Sequence, residues 1–480
     1  MAVQLRRPIL VGGIGLSFGL WMLQGIHESV AQFDEVGVIG AIALGTGLWF
    51  FQKRGSSKID LSPLSSPLER ATVEQAIAQT QRVIDLVEIE IGDQKQLRQQ
   101  LAQLTAELER QNLQVAIVGG KGVGKTHLVK VLQSDWLPQQ SQSVNLQDTP
   151  TLFVSNQAPE VIPDSDLVLF VITGDLTDTE FQTLQQLKAV NQRTLVVLNK
   201  QDQYLPTDRA LILQQLRQRM SELLPADDIV EISASPAPVK VRQHQPDASL
   251  QEWMEEQTPD LTALTQRISQ IFTQEAQQLV WASTVRAASA LKAEAKAQLN
   301  QARRDRVLPL IEQYQWIAGA TAFANPVPAL DLLATAAIST QLVIELGGIY
   351  QQQFSLSQAQ SAAQTLGSLM FKLGLVELST QTIGGILKSN AFTYVAGGVV
   401  QGVSAAYLTR LAGLSLIEYF QEQEIGANAA TSQPLNLERV AEKLKKVFQE
   451  NQRRAFLQGF VKQALGRLRS ESAQAEPTPL

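Results

Sequence analysis

The feature that most constrains this chain is an eight-residue stretch, GGKGVGKT, at 119–126. It follows the apolar run VAIV at 115–118 and leads into HLVKVLQ, which has the apolar spacing of a helix. Strand, glycine-rich turn and helix in that order satisfy G-x-x-x-x-G-K-[ST] in the context the motif needs. Glycine lets successive backbone N–H groups turn inward, where they can cradle phosphate oxygens at the start of a helix. On this reading Gly119, Gly120, Lys121, Gly122, Val123 and Gly124 form the cradle. Lys125 would reach the β- and γ-phosphates, and the Thr126 hydroxyl would take a Mg2+ position. His127 reads as an ordinary first-turn helix residue. The expected fold around the stretch is α/β, a mostly parallel sheet with flanking helices.

Later segments specify which nucleotide. LVLFVIT (167–173) reads as a strand; after a helical stretch comes TLVVL, ending in Asn199, Lys200, Gln201 and Asp202. N-K-x-D after a buried strand is the guanine-reading pattern. The Asp202 carboxylate can accept both guanine N1–H and N2–H, which adenine does not present. Lys200 can lay its stem over the base, and Asn199 can tie this loop to the phosphate loop. A further strand, DIVEIS, runs into Ser233 and Ala234, where a backbone N–H would meet guanine O6.

Over about 114–272 the chain resembles the Era/TrmE-like branch of translation-factor-class P-loop GTPases. That family carries D-T-P-G after its third strand; here Asp148, Thr149, Pro150 and Thr151 occupy it. The resemblance implies GTP and GDP as ligands, Mg2+ as cofactor, a water-mediated metal role for Asp148, and Lys125, Thr126 and Asp148 as the catalytic set. Two departures argue for slow hydrolysis. Thr151 stands where a glycine N–H senses the γ-phosphate. Only about twenty residues separate Thr126 from Asp148, with no threonine among them, so the usual switch I strand is expected to be missing. Leu152 takes the place of the glutamine that some relatives use.

Upstream, 8–26 and 36–51 are apolar, uncharged runs, the first close to the roughly 20 residues that span a bilayer. Arg6 and Arg7 precede the first and Lys53, Arg54 and Lys58 follow the second, while the loop between holds only Glu28, Asp34 and Glu35 as charges. The positive-inside rule puts both ends in the cytoplasm. The expected element is a transmembrane hairpin over 1–55, helped by close approach at Gly15, Gly19, Ala41 and Gly45; a signal peptide and a buried helical hairpin are the rival readings. A Ser/Pro linker and amphipathic helices fill 56–112, with a break near Gly92. The leucines 97, 101, 104 and 108 make a stripe suited to a short coiled coil or a helix packed on a neighbouring domain.

Beyond a P-loop domain at 113–273, a long polar-faced helix is expected over about 274–306. Apolar, small-residue-rich runs follow at 316–350, 365–387 and 391–408. Around Pro326, Pro328 and Asp331 the chain resembles the YcjF-type domain family, a domain of unknown function, over roughly 300–420. This implies an all-α, membrane-associated domain at 274–430. Asp331 and Glu345 form a candidate acidic pair, with capping and polar helix faces as the alternative. Lys372, Glu377, Lys388 and Arg410 interrupt the runs, which disfavours deep insertion in lipid. A basic amphipathic helix at 435–469 suits anionic lipid or a bundle surface, and with a disordered tail it makes up 431–480.

Composition closes off other classes. Cysteine is absent and histidine occurs three times (His27, His127, His244), so thiol chemistry and a His-rich metal site are out. Net charge is −6, which excludes the global basic footprint of a nucleic-acid binder. The resulting expectation is an integral membrane protein with a cytoplasmic guanine-nucleotide domain. It would act as a slow GTPase switch, with homo-oligomerisation one route to completing the site. The rivals are a non-hydrolysing GTP-binding scaffold and a gating subunit of a transport or channel component.

Overall fold

The computed structural model describes residues 68–152, 164–244, 250–324, 328–389, 397–422, 436–451 and 454–474. The expected hairpin at 1–55, the Ser/Pro linker, Pro326 and the end of the tail lie outside them. The described residues divide into two compact units, 68–296 and 297–474.

The first unit opens with two helices, α1 (Arg70–Ile91) and α2 (Lys95–Glu107), separated at Gly92 as its position between two helical patterns predicts. Leu97, Leu101, Leu104 and Leu108 are all buried, so the leucine stripe is a packing face. Arg98 ties the pair together through Asp85 (2.6 Å) and Glu88 (2.7 Å).

The sheet follows. Strands β1 (Leu113–Gly119) and β2 (Val144–Asp148) are separated by a short helix, α3 (Lys125–Val131). Next come β3 (Leu167–Ile172), α4 (Asp178–Ala189), β4 (Thr194–Leu198), α5 (Pro206–Met220) and β5 (Ile229–Glu231). Strand order is β2-β1-β3-β4-β5 and every pairing is parallel. Parallel sheets are covered on both faces, which is why β3 is apolar and buried at all six positions. Alternation sends Leu167, Leu169 and Val171 to one core and Val168, Phe170 and Ile172 to the other. Leu128 of α3 packs in the first core; Leu184 and Leu187 of α4 and Leu216 and Met220 of α5 fill the second. Since β1 has β2 on one side and β3 on the other, the order of strands reverses there. Open α/β sheets bind ligands beyond the carboxyl ends of strands at such a point, and 119–126 leaves β1 at that place.

No strand lies between α3 and β2: a π-helical turn (Leu132–Trp136) and a 3-10 turn (Leu137–Gln139) fill the connection. An antiparallel hairpin of β6 (Val239–His244) and β7 (Leu250–Glu255) stands apart from the main sheet. It is absent from the sequence reading because its strands are mostly polar. Cross-strand ion pairs support it, Glu252 meeting Lys240 and, at 2.7 Å, Arg242.

The helix expected at 274–306 is far longer. Helix α6 (Thr262–Ala324) begins where the Thr262 N–H donates to Asp260 Oδ1 (3.2 Å), and its early residues Leu264, Ile268, Ile271 and Phe272 bury against the first sheet face. The apolar stretch from Trp316 continues the same helix.

In the second unit the remainder of α6 joins α7 (Pro328–Ile349), α8 (Leu356–Lys372), α9 (Leu375–Ser389), α10 (Gly397–Glu422), α11 (Leu437–Asn451) and α12 (Arg454–Gln474). The run at 365–387 is two helices, turned at Gly374, whose φ is +67°. The single helix at 435–469 is likewise two, α11 and α12. Val440, Leu444, Val447, Phe460 and Ala464, on the apolar side that the sequence leaves open to lipid or to a bundle, lie in the bundle core with Ile311, Leu346, Tyr407 and Leu411. Glu345 accepts from Gln341 Nε2 within α7 (3.1 Å) and from Tyr314 Oη on α6 (2.8 Å); the Asp331 side chain lies outside the described residues. Among the described residues no helix is long and apolar enough to cross a membrane.

Candidate functional site

The loop 119–126 closes on itself and on its neighbours because two of its glycines admit no side chain. A Cβ on Gly119 would sit 2.4 Å from the Val171 carbonyl oxygen of β3. Gly124 has φ +97°, and a Cβ there would sit 2.3 Å from Asn199 Nδ2. Lys125 is buried, its Nζ donating to the carbonyls of Gly119 (2.9 Å) and Gly120 (3.0 Å). Burial pushes its ammonium below the ordinary lysine value, and Asp148 pushes it partly back.

Thr126, exposed at the head of α3, donates its hydroxyl to Asp148 Oδ2 (2.8 Å). Asp148 ends β2, and its register against Ile117 of β1 brings it beside the loop. Thr149 is fixed by its N–H (3.2 Å) and hydroxyl (2.8 Å) to the Ile117 carbonyl, and the Leu152 N–H donates to the Gly119 carbonyl (3.2 Å). Leu152 is buried in the core under β3. Its side chain therefore packs inward, away from any role at the loop mouth.

The segment after β4 is bound to the loop by one amide. Asn199, buried, donates Nδ2–H to the Val123 carbonyl (2.8 Å), while its Oδ1 accepts from the N–H groups of Lys200 (2.8 Å) and Ala234 (3.0 Å). Lys200 adopts a left-handed backbone (φ +64°), which its contact with Asn199 offsets, and its Nζ donates to the Gly122 carbonyl (2.9 Å). Asp202 holds both carboxylate oxygens in place: Oδ1 accepts from the Ser233 hydroxyl (2.5 Å) and Oδ2 from the Ala237 N–H (3.1 Å).

The structure thus brings together Gly119 to Thr126, Asp148, Asn199, Lys200, Asp202, Ser233 and Ala234. It adds residues that the spacing of motifs does not reveal. Asp260, just before α6, pairs its backbone with Ser233 through two 2.9 Å bonds and accepts from Gln201 Nε2 (3.3 Å). Arg209 donates to Gln201 Oε1 (3.0 Å). The Asp260 contacts come from an element distant in the sequence and carry no local signature.

Chemically the arrangement is a glycine-rich loop whose carbonyls hold a buried ammonium, with a hydroxyl–carboxylate pair and a fixed carboxylate beside it. Thr126 and Asp148 present two hard oxygen donors a hydrogen bond apart. That suits a Mg2+ ion completed by phosphate and water, which uses few protein ligands.

A family model described as a domain of unknown function (DUF697) matches residues 286–453, a minority of the chain that includes Pro326, Pro328 and Asp331. No curated protein matches. Among solved structures, a mutation variant of SsGBP is 20% identical over 41% of this chain and 69% of its own, with a TM-score of 0.25. The LeoA bacterial dynamin GTPase from ETEC is 12% identical over 84% of this chain and 98% of its own, with a TM-score of 0.22. A structure titled as an oligomerised bacterial dynamin pair is 11% identical over 84% and 81%, with a TM-score of 0.22. At such scores these likenesses add nothing to the geometry.

Proposed function

We propose that this chain is a membrane-anchored guanine-nucleotide-binding protein, a slow GTPase whose nucleotide state acts as a switch at the membrane. One observation carries the reading. Asn199 locks the base loop onto the phosphate loop, and Asp202 is held with both oxygens fixed at that loop's edge. A carboxylate oriented in this way matches the paired N1–H and N2–H of guanine and offers adenine nothing.

Lys125 and the loop amides would hold the β- and γ-phosphates, Lys200 would cover the base, and the Ala234 region would meet guanine O6. Thr126 and Asp148 would hold Mg2+, which when bound neutralises phosphate charge. Likeness to the Era/TrmE branch supports this reading through the order of its motifs. The apolar runs at 8–26 and 36–51 with their flanking basic residues support an N-terminal anchor with the nucleotide domain in the cytoplasm.

The test is base choice. Asp202→Asn puts an amide donor against the guanine amine, whereas xanthine offers a carbonyl there. Each lost bond to the charged acceptor is worth roughly 1.5–3 kcal/mol. Competition titrations should show GTP well ahead of ATP on the native protein, and a relative gain for XTP on the variant. Equal binding of ATP and GTP, or no gain for XTP, sinks the assignment.

A second reading, a GTP-binding scaffold without turnover, is favoured by Thr151 and by the turns that replace a switch I strand. Phosphate release by the purified protein, with and without liposomes, separates the two.

A further inference from the structure

Three lysine side chains or backbones meet at the phosphate loop, and two of the ammonium groups are committed. Lys125 Nζ donates to the Gly119 and Gly120 carbonyls, and Lys200 Nζ to the Gly122 carbonyl. Lys121 is exposed and makes no hydrogen bond or ion pair among the described residues. Its backbone is nonetheless held on both sides: the Gly120 carbonyl by Lys125 at 3.0 Å, the Gly122 carbonyl by Lys200 at 2.9 Å. The loop therefore carries a free cation on a pinned stem.

The carboxylates at the site do not neutralise it. Asp148 is bonded to Thr126, and Asp202 to Ser233 and Ala237. What is left for Lys121 is an anion brought in from solution. A nucleoside triphosphate brings more negative charge than a diphosphate, and the extra charge is on the terminal group. Contacts to that group are otherwise thin in this chain: Thr151 stands in a glycine position, and the connection from α3 to β2 is two short turns with no threonine.

We propose that Lys121 is the counter-charge of the γ-phosphate and makes the site prefer the triphosphate over the diphosphate. The inference rests on the guanine-nucleotide reading above. An ammonium acts as a point charge with three rotatable donors, so it needs no bidentate geometry to serve.

The experiment measures affinity of the full-length protein, in detergent micelles, for GDP and for a non-hydrolysable GTP analogue. Native protein is compared with Lys121→Gln and Lys121→Arg. Lys121→Gln should weaken the analogue roughly ten- to hundredfold, the worth of one bond to a charged group. It should change GDP affinity by no more than about twofold, as for a screened surface charge; Lys121→Arg should recover most of the loss. Retained GDP binding and an unchanged melting temperature show that the variant is folded. An equal loss for both ligands, or no loss for either, overturns the proposal while base discrimination by the native protein leaves the guanine reading standing. If the native protein binds neither guanine nucleotide, that reading falls first.

Discussion

Replacing Asn199 by alanine removes one side chain that three backbone groups share. The Val123 carbonyl loses its donor, and the N–H groups of Lys200 and Ala234 lose their acceptor; their present distances are 2.8, 2.8 and 3.0 Å. Asn199 is 2% exposed, so water reaches these groups poorly. With a net worth of about 1 kcal/mol per bond, and more where a buried group is left orphaned, the loss is about 3 kcal/mol or above. It falls on local structure, because Lys200 no longer has a reason to hold its left-handed backbone (φ +64°). Amide hydrogen exchange on the nucleotide-free protein reads this directly. The amides of residues 200 and 234 should exchange roughly tenfold faster in Asn199→Ala, whereas Val197, within β4, should be unaffected. Guanine preference should weaken as Asp202 drifts. If both amides keep their protection while nucleotide binding falls, Asn199 acts only on ligand and the locking argument fails.

Other outcomes follow from the same geometry. Gly119→Ala should abolish nucleotide binding because its Cβ meets the Val171 carbonyl at 2.4 Å, while Gly120→Ala, whose nearest neighbour is a Val123 methyl at 3.7 Å, should bind nearly normally; titration of both checks this. Asp228 is fully buried and accepts from Arg193 and, at 2.8 Å, from Arg267 of α6, so Asp228→Ala strands two guanidinium groups and should cost about 3–5 kcal/mol in urea unfolding followed by circular dichroism. Lys125→Met should lose GTP binding yet melt no lower than the native protein without ligand. Burial holds the Lys125 pKa below its unfolded value, so its charge costs stability below the folded pKa, and that cost is relieved as pH rises through it. Native stability should therefore gain on Lys125→Met with rising alkaline pH in parallel melts; a constant difference would contradict the burial argument.

The sheet and the site were legible in the sequence for a shared reason. β1, β3 and β4 are buried on both faces, so they announce themselves as short apolar runs, and the phosphate loop and the N-K-x-D segment follow two of them directly. Only glycine fits at Gly119 and Gly124, and residue type and spacing mark both positions. Asp260 and Ala237 could not be marked in that way, since they act through backbone groups or across long separations. The β6–β7 hairpin carries no such signature, because polar residues with charge pairs look like loop. In the helical unit the apolar runs were visible but their partition was not. Lengths of helices there depend on turns such as Gly374, and the destination of Val440, Leu444 and Phe460 depends on what packs against them. Amphipathicity says that a helix has a face to bury and is silent on whether protein or lipid buries it.

Strand β2 is an edge of the sheet, five residues long, paired only to β1, and it carries Asp148 at its end. The distance between Thr126 and Asp148 is thus set by two anchors, the head of α3 and the pairing of Val144 with Leu113, and not by the chain between them. Residues 141–143 are exposed. Chain length there is free to drift between related sequences without disturbing the hydroxyl–carboxylate pair. Within 144–148 the same change would slide the ladder by one residue and present Gln147 or Thr149 in place of the acid. Tolerance to insertion should therefore change abruptly at Val144, from a permissive stretch to one in which every residue is counted.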